Sequence, residues 1–152
     1  SKSIQNRHLQ IQNNISDSFK KGPEDSITSE SQRTSASQFI GTLMSVQQSA
    51  AITHRYQVDK KLSTHEALGD FYTELDPMID ELIETYQGYK KEQVDLQVFA
   101  KTMLNPKDSI QQLYDFIASN RNFCNESFIQ NQIDNIVSLI AKTLFKLEFV
   151  QS

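Results

Sequence analysis

Between Leu68 and Tyr89 the chain places Leu68, Phe71, Tyr72, Leu75, Ile79, Leu82, Tyr86 and Tyr89 at steps of mostly three and four residues. Steps of that size return to the same side of a helix that turns by about 100° per residue, so the stretch specifies one long helix with a single buried face. A helix cannot cover its own apolar stripe, and other elements must pack on it. No other feature of the sequence narrows the fold as much.

The partners for that stripe are also helical. Ser35–Ser37 supplies an N-cap for a helix running to about Val58, in which Phe39, Ile40, Leu43, Gln47, Ala50 or Ala51, and His54 define one buried stripe. Asp59-Lys60-Lys61 reads as a short solvated turn. Ser63 or Thr64 then caps the long helix near Thr64, with Glu66 complementing its positive end. So short a connection makes the two helices antiparallel neighbours. Pro77 removes one backbone hydrogen bond and predicts a kink just before Asp80. Residues 90–106 carry a weaker pattern, read as a long connection with a short helix around Gln93–Met103 and a break at Asn105-Pro106. A third helix is predicted from Lys107 to Phe123, with Ile110, Leu113, Tyr114 and Ile117 inward. A fourth opens at Asn125 or Ser127, with Phe128 or Ile129, Ile133, Ile136, Val137, Ile140, Leu144 and Leu147 inward. Four Gly, three Pro and no Trp in 152 residues agree with an all-α chain of one domain. Four helices joined by two short turns and one long crossover describe a four-helix bundle of ferritin-like topology over residues 37–152.

Residues 1–36 differ from the rest. Ile4, Leu9, Ile11, Ile15 and Phe19 are spread thinly among Gln, Asn and Ser, Gly22-Pro23 breaks the pattern, and residues 24–37 are nearly all polar. This is an N-terminal arm suited to lying on a neighbouring subunit or a larger assembly. Lys2, Arg7, Lys20 and Lys21 are too sparse to make it a phosphate-binding arm. A net charge of -4 also argues against strong DNA binding through the overall field. Cys124 is the single cysteine and has no partner for an internal disulfide, which fits a reducing compartment such as bacterial cytoplasm. No apolar run approaches the roughly 18 residues of a membrane span, and no secretory leader is visible.

The chemistry concentrates at residues 54–84. His54 and His65 flank the first turn, and Asp76, Asp80, Glu81 and Glu84 follow on the long helix. Two imidazoles and two carboxylates suit ferrous iron, and zinc or manganese less selectively. With Leu68 at zero and about 100° per residue, His65 falls near 60°, Asp80 near 120° and Glu84 near 160°. The histidine therefore borders the core while both carboxylates face away from it. Within one bundle they point to water, so they meet the histidines only across an interface with another subunit. A lone histidine at a helix end is more often a cap or surface group than a ligand, and it is the combination that carries the reading. Tyr72, Tyr86 and Tyr89 read as core or interface, Cys124 as a small apolar filler, and Glu66, Glu74 and Glu81 as solvated faces.

His54, His65-Glu66, Leu68, Phe71, Leu75, Asp80 and Glu84 together resemble the motif of the DNA-protection-during-starvation (Dps) proteins, the mini-ferritins, particularly small versions encoded by tailed bacteriophages. The second-helix part matches in register without a gap, and the turn after His54 is one residue shorter than usual. Arg55 stands where that family often has Trp, and the arm matches nothing. The resemblance implies a hollow homo-oligomer, typically of twelve subunits. His54 and His65 of one subunit would face Asp80 and Glu84 of its twofold mate, where ferrous iron is bound and oxidised. A buried di-iron centre of the ordinary ferritin kind needs E-x-x-H motifs. His8, His54 and His65 are preceded three residues earlier by Gln5, Ala51 and Leu62, so that centre is excluded.

Two functions are thus expected from sequence. One is a ferroxidase mini-ferritin acting in the cytoplasm of a bacterial host cell. The other is a structural or virion-associated phage protein that keeps the bundle for assembly, with the arm as its contact.

Overall fold

A computed structural model describes residues 34–56 and 61–150. The described chain is all-α. It contains helices α1 (Ala36–Tyr56), α2 (Leu62–Lys90), α3 (Pro106–Asn120) and α4 (Ser127–Phe149), with a 3-10 turn at Arg121–Phe123 after α3. The expected arm, residues 1–36, lies almost wholly outside the described residues.

Side-chain pairs along the helices fix their order and direction. Gln47 Nε2 donates to Tyr72 O at 3.3 Å and His54 meets His65, so α1 and α2 run antiparallel. Gln132 Nε2 donates to Thr85 Oγ1 at 2.9 Å and Lys146 reaches Asp70 at 3.4 Å, which sets α4 antiparallel to α2. Arg121 with Asp134 at one end and Lys107 with Glu148 at the other set α3 antiparallel to α4. Thr34 Oγ1 donates to Asn120 Oδ1 at 2.8 Å, and α3 begins where α1 ends. The neighbours are therefore α1–α2–α4–α3 in a closed ring, and α2 and α3 are parallel.

The core lies inside that ring. Phe39, Ile40 and Leu43 of α1 meet Leu68, Phe71, Leu75, Ile79 and Leu82 of α2, with Ile110, Leu113 and Ile117 of α3 and Ile133, Ile136 and Ile140 of α4. Phe39 stacks on Phe116 at 5.7 Å and meets Phe123 at 4.5 Å, which closes the end of the bundle nearest the 3-10 turn. Exposed ion pairs such as Lys107–Glu148 contribute little beside this burial.

The connection from α2 to α3 is the unexpected element. In place of a short helix, residues 92–103 form an extended strap that runs the length of α1, in the same direction as α1. Asp95 N–H donates to Ser37 Oγ at 2.9 Å, Phe99 N–H to Ser45 Oγ at 2.9 Å, Lys101 N–H to Ser49 Oγ at 3.1 Å and Met103 N–H to Thr53 Oγ1 at 2.8 Å. The step is four residues on the helix for two on the strap. Four helical residues advance about 6.0 Å and two extended residues about 6.6 Å, so the two repeats stay in phase. Gly41 fills the missing place in the row. A Cβ there would lie 2.9 Å from Gln97 O, so only glycine lets the strap backbone approach.

The hydroxyls serve both partners. Ser45 donates to Gly41 O at 2.7 Å and Thr53 to Ser49 O at 2.7 Å, while each accepts from the strap. The row drifts round α1, from the side opposite Phe39 and Leu43 at Ser37 and Gly41 toward the side of Val46 at Thr53, so burial on α1 extends beyond one stripe. Its expected single stripe is therefore half of the account. An alternating Val94-Asp95-Leu96-Gln97-Val98 sequence favours extension, and the hydroxyl row replaces the hydrogen bonds a helix would have made.

Smaller differences have local causes. Lys61 is the N-cap of α2, with no side-chain cap, and Ser63 and Thr64 lie inside the helix. Pro77 sits within an uninterrupted α2. Tyr89, Tyr114 and Phe128 are partly exposed, while Phe116 and Leu139 take inward places. Tyr89 donates to Glu126 at 2.7 Å, and that bond raises its phenol above the ordinary value. Cys124 packs against the core as a filler should. Among the described residues no helix is long and apolar enough to cross a membrane.

Gly41→Ala should destabilise the fold by about 1–3 kcal/mol, because the obstacle is backbone rather than a side chain that can swing away. Urea unfolding measures this, and the Phe99, Lys101 and Met103 amides should exchange faster in native-state hydrogen exchange. Ser45→Ala removes one acceptor and should cost about 1 kcal/mol, with faster exchange centred on Phe99.

Candidate functional site

His54 comes from the last turn of α1 and His65 from the first turn of α2, so the short connection brings the two rings together. Their centroids are 3.9 Å apart and their planes 17° from parallel. His54 Nδ1 lies 2.8 Å from His65 O. A carbonyl only accepts, so this bond holds the His54 proton on Nδ1 and leaves the Nε2 lone pair for a ligand. Backbone anchoring of one ring nitrogen while the other is kept unprotonated is the usual preparation of a metal-binding imidazole.

The surroundings hold the His54 ring in place. Tyr72, two turns beyond His65 on α2, lies 5.5 Å away, with the Arg55 guanidinium 5.6 Å over the tyrosine ring. A Cβ on Gly69 would lie 2.7 Å from His54 Cε1, so the imidazole occupies the space where any other residue would put a side chain. Gly69 is a residue packed against this histidine pair that the sequence reading missed. Its signal was present, because glycine within a helix costs about 1 kcal/mol relative to Ala and marks a close approach.

His65 has the opposite character. Its Nδ1 is buried with no hydrogen-bond partner among the described residues. The ring borders a pocket of about 60 Å³ lined by Thr53, Thr64, Leu68, Met103, Leu104 and Pro106. A buried imidazole nitrogen without a partner is costly unless something completes it.

Asp80 and Glu84 are exposed on α2, as their angular positions require. Asp80 lies fifteen residues beyond His65 on one helix, roughly 22 Å along the axis. The fold thus brings the two histidines together and keeps both carboxylates away from them within a chain. Among the described residues no group of three or more His, Cys, Asp and Glu could hold a metal ion in one subunit. Near-parallel ring planes place the two sets of lone pairs side by side, so one ion held by both imidazoles requires a ring to tilt.

A family model described as "Family of unknown function (DUF5856)" matches residues 58–147, more than half of the chain. The matched segment holds α2, the strap, α3 and most of α4, with His65, Asp80 and Glu84 inside it and His54 outside. No curated protein and no solved structure matches the chain.

Gly69→Ala should displace the His54 ring and cost about 1–3 kcal/mol. The double variant His54→Ala/Gly69→Ala should recover most of that loss, since the obstructed ring is gone. A double-mutant cycle by urea unfolding gives the coupling, and additive losses would show that the ring does not depend on Gly69.

Proposed function

The chain belongs to this family of unknown function, and we propose that it is a ferritin-like, Dps-like bundle that self-assembles and binds and oxidises ferrous iron at a site shared between two subunits. His54 and His65 of one chain supply the nitrogen ligands, and Asp80 and Glu84 of a twofold-related chain supply the oxygen ligands. The observation that carries the reading is the histidine pair itself: two imidazoles in contact, one oriented by a backbone carbonyl and the other with a buried nitrogen that has no partner among the described residues.

The order of the helices supports the ferritin-like part. Two antiparallel pairs joined by one crossover, with α2 and α3 parallel, is the arrangement of that class. The donor set supports the metal. Neutral imidazole nitrogens favour the ferrous ion, and carboxylates favour the ferric product. Iron is the substrate here: two ferrous ions and one peroxide, with two protons, give two ferric ions and two waters. Zinc and manganese fit the same donors without undergoing that oxidation.

A second reading rests on a different observation. The near-parallel rings, with no third ligand beside them among the described residues, also suit a protein that keeps the bundle for assembly alone, as a phage structural or virion-associated component would.

Purified protein should oxidise ferrous iron faster than buffer, with oxygen or peroxide as acceptor, and both His65→Ala and Asp80→Ala should reduce the rate to the buffer level. Because each shared site takes ligands from two chains, co-assembling the two inactive variants should restore part of the rate. Wild-type protein no faster than buffer would leave the assembly reading. Inactive variants that do not complement would place the whole site in one chain.

A further inference from the structure

Charge is unevenly shared along the outer face that α1 and α2 present together. His54, Arg55 and His65 stand at the end where α1 stops and α2 starts, while the exposed Asp76, Asp80 and Glu84 follow further along α2. Arg55 lies about 100° further round α1 than His54, which turns it outward, and it is exposed. Its guanidinium rests 5.6 Å over the Tyr72 ring, and that ring also meets the His54 imidazole, at 5.5 Å. Tyr72 thus holds a cation beside the histidine pair. Among the described residues Arg55 has no ion-pair partner, and neither Asp80 nor Glu84 has one. A permanent positive charge is a poor neighbour for a site that takes a divalent cation. Complementing the end of the α1 dipole explains a cation in this turn, but not its placement over a ring that touches His54.

We propose that Arg55 of one chain binds Asp80 and Glu84 of the second chain when no metal is present, and that an arriving ion displaces it. The inference rests on the shared site proposed above, in which those carboxylates come to His54 and His65. Arg55 follows His54 on the outward side of α1, so its side chain is within their reach. Asp80 and Glu84 are one turn apart and are neighbours on the surface of α2, where their like charges repel. A guanidinium carries five N–H donors in a planar fork and bonds to both carboxylates at once. The metal-free contact thereby replaces that repulsion with an ion cluster, which the twofold axis repeats. A divalent ion entering between the imidazoles and the carboxylates takes the same oxygens, and the guanidinium returns to the Tyr72 ring. Arg55 is a positioning residue in this scheme: it holds the two chains in register until the ligands close on the ion.

Removing the charge should move assembly and metal binding in opposite directions. On chelator-treated full-length protein, sedimentation velocity should show Arg55→Gln raising the dissociation constant of the dimer contact by about tenfold. Arg55→Lys should fall in between, because an ammonium cannot form the fork. In an Asp80→Asn/Glu84→Gln background the Arg55→Gln change should add little further loss, since the groups it binds are gone. Cobalt(II) suits the same nitrogen and oxygen donors, and its visible absorbance reads the site directly. Titrated at protein concentrations where every variant is assembled, Arg55→Gln should bind cobalt about tenfold more tightly than the wild type. Weaker association together with weaker cobalt binding would make Arg55 a plain interface contact and overturn the proposal. A variant that changes neither overturns it, and so does a wild-type protein that is monomeric without metal. Cobalt binding left intact by His65→Ala and Asp80→Asn would remove the shared site, and this inference with it. Binding lost in those two, with Arg55→Gln indifferent, would remove this inference alone.

Discussion

The row of hydroxyls on α1 is what the rest of the architecture depends on. A helix in a four-helix bundle ordinarily shows one face to water, but α1 is covered by α2 and α3 on one side and by the strap on the other. An apolar covering would leave the strap's N–H groups buried and unpaired, at a cost of about 1–3 kcal/mol each. Serine and threonine solve this because a hydroxyl donates back to its own helix while accepting from the strap. A segment that is formally a loop therefore becomes part of the packed structure. The crossover is held along its length, and α3 is delivered to the far end of the bundle parallel to α2.

The same segment connects the fold to the histidines. Met103 N–H donates to Thr53 Oγ1, the last rung of the row, and Thr53 immediately precedes His54. Thr53 and Met103 also line the pocket beside His65. The end of α1 is thus fixed from the strap side by a hydrogen bond and from the α2 side by the His54 Nδ1 to His65 carbonyl contact. Gly69 then sets how close the imidazole lies to α2. Small residues at Gly41 and Gly69 do equivalent work at the two ends: each trades helix propensity for a contact that no side chain would allow.

Much of the helical fold was legible in the sequence because its signals are periodic. The long stripe of α2 and the break at Asn105-Pro106 place the helices they border to within a few residues, while Asp59 and Lys60 of the expected polar turn lie outside the described residues. The strap was not legible, because its signal is split between two distant segments. Ser37, Gly41, Ser45, Ser49 and Thr53 look like an indifferent polar face until the alternating residues 94–103 are laid on them. Tyr114 was misplaced for a simpler reason, since periodicity locates a face to within about one residue and neighbouring apolar residues compete for it; of the pair Phe128 or Ile129, it is Ile129 that is buried. Of the candidate site, the contact between His54 and His65 followed from the short turn, and the outward carboxylates followed from the angular arithmetic. The tautomer of His54 and the space under Gly69 depend on atomic contacts that spacing does not encode.

Connections between helices usually tolerate insertions and deletions better than any other part of a fold. Here that freedom is lost through parity. Removing one residue from 95–103 would exchange the inward and outward residues beyond that point, displacing the inward N–H groups by one residue from the hydroxyls they meet. Removing two would keep the alternation but slide the remaining contacts by a full helical turn, bringing a different backbone unit over the one glycine that admits a close approach. Evolution of this chain's longest link is thereby confined to substitution, while changes of length are displaced to the segments on either side of the bundle's hydroxyl row.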